Sequence, residues 1–147
     1  MAADGVNGAG NGRSARGIND LGILLVEDDG FTRMLMSRLL RDLPVRTVWE
    51  AADGFQALDL MRQHEGEVDI AICDLEMPRM GGLDLLHALR TATGNPLADL
   101  PVIVLTAHRE ADTVKRAIAY GISGYLVKPV SRADLVKRLA FAIRHPR

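Results

Sequence analysis

Five times along this chain a short apolar run is followed by a stretch in which apolar residues recur at three- and four-residue intervals. Ile23–Val26 leads into Phe31, Met34, Leu35, Leu39 and Leu40. Val45–Trp49 leads into Phe55, Leu58 and Met61, and Val68–Cys73 into Leu83, Leu86 and Leu89. Pro101–Leu105 precedes Ala111, Val114, Ala117 and Ile118, with Gly121 as a helix stop. Gly124–Val127 precedes Leu135, Leu139 and Ile143, and Ser131 has the chemistry of an N-cap, with Asp134 three residues on. Short runs made mostly of apolar residues are strands covered on both faces, and the longer spacing is that of amphipathic helices. Strict alternation of the two predicts parallel strands joined by right-handed helical crossovers, an α/β fold of five βα units. Periodicity gives this class and leaves the strand order open.

Composition narrows the function classes. With 147 residues the chain suits one domain. A net charge of −1 argues against a nucleic-acid binder that works by neutralising phosphates. The lone cysteine, Cys73, forbids an internal disulfide, gives no sign of secretion and reads as a small buried hydrophobe, so a cytoplasmic location is expected. No apolar run approaches the roughly 18 residues of a bilayer span. Residues 1–20 hold five glycines and three asparagines with almost no large apolar group, and are expected to be a flexible tail before a body spanning 21–147.

The polar residues fall at telling positions. The first run ends in Glu27-Asp28-Asp29, the third in Asp74, the fourth in Thr106 and the fifth in Lys128-Pro129. Ligands of open parallel sheets bind beyond the carboxyl ends of the strands. Each residue also has an ordinary role: Asp28 or Asp29 as a helix cap, Asp74 as a turn acid, Thr106 as an N-cap, Lys128 as a surface cation. Their joint placement at four strand ends favours a site. Two carboxylates about 4 Å apart repel by roughly 4 kcal/mol at an effective dielectric of 20. One lysine cannot neutralise three acids, whereas a hard divalent cation can. Mg²⁺ accepts one or two carboxylates and leaves positions for phosphate oxygens. Metal and ammonium together suit a transferring phosphoryl group, and an aspartate can receive it as an acyl phosphate.

Four segments carry a family resemblance: Leu24-Leu25-Val26-Glu27-Asp28-Asp29, Cys73-Asp74-Leu75-Glu76-Met77-Pro78-Arg79-Met80-Gly81-Gly82, Val104-Leu105-Thr106-Ala107 and Tyr125-Leu126-Val127-Lys128-Pro129. In this order and at these spacings the chain resembles the receiver domain of two-component response regulators, from Leu21 to Ile143. The resemblance implies a flavodoxin-like, doubly wound parallel sheet of order 2-1-3-4-5. It implies that Asp74 is the phosphoacceptor. Mg²⁺ would be held by Asp28, Asp74 and the backbone carbonyl of Glu76, with Glu27 acting through water where the family often has Asp. Lys128 would pair with Asp74, across a cis Lys128–Pro129 peptide, and then with the phosphoryl group. Thr106 would move to that group and leave room for Tyr125 to turn inward. Glu76 and His108 occupy positions that tune phosphoryl lifetime, and Glu76 is expected to slow hydrolysis by repelling hydroxide-like water.

The same resemblance supplies the partners. A sensor histidine kinase or a histidine phosphotransfer protein would donate the phosphoryl group. A downstream protein would read the face made by the fourth helix, fifth strand and fifth helix, about Arg109 to Ile143. Neither nucleic acid nor membrane is expected, and a phosphorylation-dependent homodimer stays open. Beyond its own phosphorylation and dephosphorylation no catalysis is expected. Because the chain ends four residues after Ile143, output through contact or onward phosphotransfer is expected rather than through an attached domain. A receiver excised from a longer regulator or hybrid kinase remains an alternative. A haloacid-dehalogenase-like phosphatase shares the Asp, Thr and Lys, but that family has a second Asp where this chain has Glu76, and a cap this length cannot hold. A phosphorylation-independent binding module is argued against by the intact set of Asp28, Asp74, Thr106 and Lys128.

Other residues receive bland readings. His64, His87, His108 and His145 are too dispersed for a metal and are expected at the surface. Trp49 and Phe55 are expected in core or rim, and the methionines of the first helix in the core. The basic last helix reads as a solvated face with charges suited to its C-terminal end.

Overall fold

The computed structural model describes residues 16–108 and 111–147. The strands are β1 Gly22–Val26, β2 Thr47–Ala51, β3 Ile70–Asp74, β4 Val102–Thr106 and β5 Gly124–Val127. Between and after them run α1 Gly30–Asp42, α2 Gly54–Gln63, α3 Gly82–Arg90, α4 Asp112–Ala119 and α5 Arg132–Arg144. All neighbouring strands pair in parallel, in the order β2-β1-β3-β4-β5. This is the doubly wound, flavodoxin-like architecture, with its topological switch between β1 and β3.

The two-residue period of each strand builds two cores. Leu24 and Val26 of β1, Ala71 and Cys73 of β3, and Val102 and Val104 of β4 face one side. There they meet Ala57 and Met61 of α2, Leu85, Leu86 and Leu89 of α3, and Val114 and Ala117 of α4. Ile23, Leu25, Ile70, Ile72, Ile103 and Leu105 face the other side, against Met36 and Leu40 of α1 and Leu135, Leu139 and Ala142 of α5. Burying a Leu or Ile side chain contributes about 1.5–3 kcal/mol, so these two layers are the main source of stability.

Several boundaries differ from the sequence reading. The second strand is shifted from Val45–Trp49 to Thr47–Ala51. Val45 is buried, yet in the turn after a cis Leu43–Pro44 bond, where its amide donates to the Leu40 carbonyl. The third strand begins at Ile70 rather than Val68, because Asp69 uses its carboxylate to accept the Gly22 amide at 2.7 Å. In α1 the expected stripe holds at its C-terminal end, where Leu40 is buried and Leu39 packs against the same core, and fails at its start, where Phe31, Met34 and Leu35 are exposed and Met36 is buried instead. Of the α1 methionines only Met36 packs in the core. Phe55 is also exposed, and Trp49 is half-buried against His64 at 4.8 Å between ring centroids. Ser131 caps α5 by accepting the Asp134 amide.

Of the expected tail, residues 1–15 lie outside the described residues. Residues 16–20 are seated on the fold. Arg16 pairs with Asp69, Ile18 packs against the α1/α5 core, and Asn19 donates to the Pro44 carbonyl at 3.1 Å. The packed body therefore includes residues on the N-terminal side of Leu21.

Candidate functional site

Strand register brings the site together. Val26 of β1 is level with Cys73 of β3. Continued by one residue, Glu27 comes level with Asp74 on adjacent strands, about 4.8 Å apart. Asp74 in turn is level with Leu105, and Thr106 with Val127. Lys128 thus leaves β5 two strands away from Asp74. Its long side chain crosses the end of β4 and brings Nζ to 2.8 Å from Asp74 Oδ2 and 2.9 Å from Glu27 Oε1. The Lys128–Pro129 bond is cis.

The acidic run after β1 divides its work. Asp29 is the N-cap of α1, accepting the Thr32 amide at 2.9 Å and the Thr32 hydroxyl at 2.6 Å. Those two bonds hold its carboxyl below the usual range. Asp28 is exposed and left at the mouth of the site. One carboxylate oxygen from each of Glu27, Asp28 and Asp74 lies within 4.8 Å of the others. Glu27 is fully buried, and its Oε2 accepts the Asp29 amide at 3.1 Å. Burial pushes its pKa up to about 7, against the opposing effect of Lys128. Burial works to lower the Lys128 ammonium, but hydrogen bonds to Asp74 and Glu27 outweigh it and hold its pKa above the ordinary value. An all-oxygen, multiply anionic donor set opening to solvent through Asp28 fits a hard divalent cation.

Other expected residues surround this cluster. Glu76 is exposed, and its amide donates to Asp74 Oδ1 at 3.1 Å. Thr106 is buried, and its hydroxyl exchanges hydrogen bonds with the backbone of His108 at 3.0 and 3.1 Å. The hydroxyl is therefore occupied away from Asp74. Tyr125 stands half-exposed on β5, lining a small cavity of about 200 Å³ with Asp134 and Arg138. Cys73 is buried beside Asp74, and burial raises its thiol pKa, which makes it an inert core residue. His87 and His145 are exposed, against Tyr120 and Phe141 respectively, whereas His64 is half-buried under Trp49. Arg109 lies outside the described residues.

Arg33 was not singled out from the sequence. From the first turn of α1 it reaches back to donate to the Glu27 carbonyl at 2.7 Å, and pairs with Glu50 of β2 at 3.3 Å. It thereby holds the backbone that carries Glu27. Its only sequence signal is a position four residues after the N-cap, too common to be informative.

A family model described as the response regulator receiver domain matches residues 23–140. Chemotaxis protein CheY of Pseudomonas aeruginosa is 38% identical over 117 residues, covering 80% of this chain and 91% of the relative. Chemotaxis protein CheY-3 of Vibrio cholerae is 37% identical over the same length, covering 80% and 87%. Among solved structures, the receiver domain of the sensor histidine kinase PA1611 from Pseudomonas aeruginosa superposes with a TM-score of 0.75 at 28% identity, covering 86% of this chain and 99% of that one. That structure has a magnesium ion coordinated in its active-site cleft. Fold, strand-end chemistry and relatives agree, and the chain belongs to the response regulator receiver domain family of two-component signalling.

Proposed function

We propose that this receiver accepts a phosphoryl group on Asp74 and changes the surface of α4, β5 and α5 in response. The observation that carries the reading is the convergence of Glu27, Asp28, Asp74 and Lys128, from three separate strand ends, on one point. Asp28, Asp74 and the Glu76 carbonyl would hold Mg²⁺, with Glu27 acting through water. When bound, the ion neutralises acidic repulsion and stabilises charge on the transferring group. An Asp74 carboxylate oxygen attacks phosphorus, forming an acyl phosphate as the bond to the donor breaks. The electron pair of that bond leaves with the donor's imidazole, or with acetate when acetyl phosphate is the donor. Lys128, already on Asp74, follows the negative charge to the phosphoryl oxygens.

Phosphorylation adds about −1.5 to −2 charge and new acceptor oxygens. The Thr106 hydroxyl then exchanges its bonds to the His108 backbone for one to the phosphoryl group. That movement frees room beside β4 for Tyr125, and the altered face is what a downstream protein reads. Glu76 and His108 border the site and tune phosphoryl lifetime, Glu76 by repelling hydroxide-like water. The donor would be a sensor histidine kinase or histidine phosphotransfer protein, in the cytoplasm.

Incubation with acetyl phosphate and Mg²⁺, followed by intact-mass measurement, tests the core of this reading. Wild type gains one phosphoryl group and Asp74→Asn gains none; a gain by the variant, or none by wild type, overturns it. For Glu76→Asn, dephosphorylation is expected to be faster than wild type, and an unchanged or slower rate removes the proposed role of Glu76.

A further inference from the structure

The loop that follows Asp74 is held at both ends. At its base, the Gly82 amide donates to the Leu75 carbonyl at 3.3 Å, and the Leu75 amide to the Leu105 carbonyl at 3.1 Å. At its tip, the loop touches the start of α2. The Gly54 amide donates to the Met80 carbonyl at 3.0 Å, and the Met80 side chain lies so close that a Cβ at Gly54 would meet it at 2.6 Å. Arg79 Nη1 pairs with Asp53 Oδ2 at 3.1 Å, and the Arg79 guanidinium sits 5.5 Å from the centre of the Phe55 ring. Asp53 is buried, and its other oxygen caps α2 by accepting the Gln56 amide at 2.9 Å.

Arg79 is also the one non-glycine among the described residues with a left-handed backbone, at φ 67°. An arginine gains nothing by itself from that conformation, which glycine or asparagine adopts more readily. Such a backbone persists when surrounding contacts over-determine it. Here those contacts are the buried carboxylate at the N-cap of α2 and an aromatic face in the first turn of the same helix.

We propose that Asp53, Phe55 and Arg79 form a clasp that positions the acceptor loop, with Arg79 as a positioning residue for the cation site beside Asp74. The inference rests on the reading of that site given above. Between the fixed base and the clasped tip lies Glu76, whose amide already touches Asp74 and whose carbonyl is the proposed main-chain metal ligand. With the tip anchored, the Glu76 peptide keeps its place beside Asp74; with the clasp open, the loop samples positions in which that peptide is no longer held there. The contribution is pre-organisation, so its loss weakens binding of the cation more than it destabilises the fold.

Mg²⁺ titration of the metal-free protein by calorimetry, alongside thermal melting, tests the clasp. Asp53→Asn keeps an oxygen able to cap α2 and removes the charge facing Arg79. Arg79→Asn tolerates the left-handed backbone and removes the guanidinium. Both variants are expected to raise the Mg²⁺ dissociation constant about two- to fivefold with melting temperatures close to wild type, and Arg79→Lys to recover part of the loss. Dissociation constants unchanged in both variants overturn the clasp, as does a fall in melting temperature with unchanged affinity. A wild type that binds Mg²⁺ without accepting a phosphoryl group overturns the proposed function and leaves the clasp standing.

Discussion

Glu27 is a fully buried carboxylate beside a second carboxylate, held there by one ammonium. Burial is the largest influence on it, and its pKa stands near 7 instead of 4.5. The sign of the consequence is fixed by linkage. Between about pH 4.5 and 7 the folded protein binds the Glu27 proton more tightly than the unfolded chain does. Stability from this group is therefore greatest below pH 4.5, declines as pH rises through this window, and the penalty is complete above about pH 7. Glu27→Gln removes the titration. In EDTA the melting temperature of the variant, relative to wild type, is expected to rise progressively from pH 4.5 to 7.5, and a constant offset would contradict the assignment. The same side chain reaches Lys128 directly, so the lysine is shared between two acids.

At the scale of elements, the junction of β3 and α3 is closely packed. A Cβ on Gly82 would stand 2.5 Å from the Asp74 carbonyl oxygen and 2.8 Å from the Leu75 Cα. Both obstacles are backbone and cannot swing aside. Gly82→Ala must push α3 away from the strand that carries Asp74, and overpacking of this kind costs about 1–3 kcal/mol. Differential scanning calorimetry should show a lower melting temperature, and phosphorylation of Asp74 by acetyl phosphate should slow with it. At the opposite side of the site, Asp29 caps α1 and leaves Asp28 to the acidic cluster with Glu27 and Asp74, a division of labour between neighbours that depends on where the first turn of α1 begins.

Across the whole molecule, Arg90 ties together segments far from one another in sequence. From the last turn of α3 it donates to the carbonyls of Ala98 and Leu100 before β4, and of Tyr120 and Gly121 after α4, at 2.9–3.1 Å. Burial, with Arg147 nearby, lowers its pKa to about 10, so it stays charged at neutral pH. Hydrogen bonds to a charged donor contribute about 1.5–3 kcal/mol, and stranded carbonyls add to the loss. Arg90→Ala is expected to cost about 3 kcal/mol, which is roughly 10 °C in melting temperature for a domain of this size. Hydrogen exchange should quicken in residues 98–101 and 120–124 while β1 and β3 stay protected. Equal quickening across the whole sheet would show instead that Arg90 acts on global stability and not through these two segments.

The apolar periodicity of this chain determined the number of βα units, and with it the fact that Glu27, Asp28, Asp74, Thr106 and Lys128 each stand at or just beyond the carboxyl end of a strand. A period of two or of 3.6 is a property of the backbone and needs no knowledge of neighbours. The first turns of α1 were less legible: Phe31, Met34 and Leu35 fit a helical stripe with Leu39 and Leu40 as well as Met36 does, and only the angle at which α1 meets β1 and β2 selects between them. The β2 boundary, the choice of Asp29 over Asp28 as cap, and the reach of Arg33 and Arg79 were hidden for the same reason. Each depends on distances between segments, and those distances exist only once sheet order and register have placed the segments side by side. Local sequence sets which side chains stand at the strand ends; tertiary structure alone decides which of them touch.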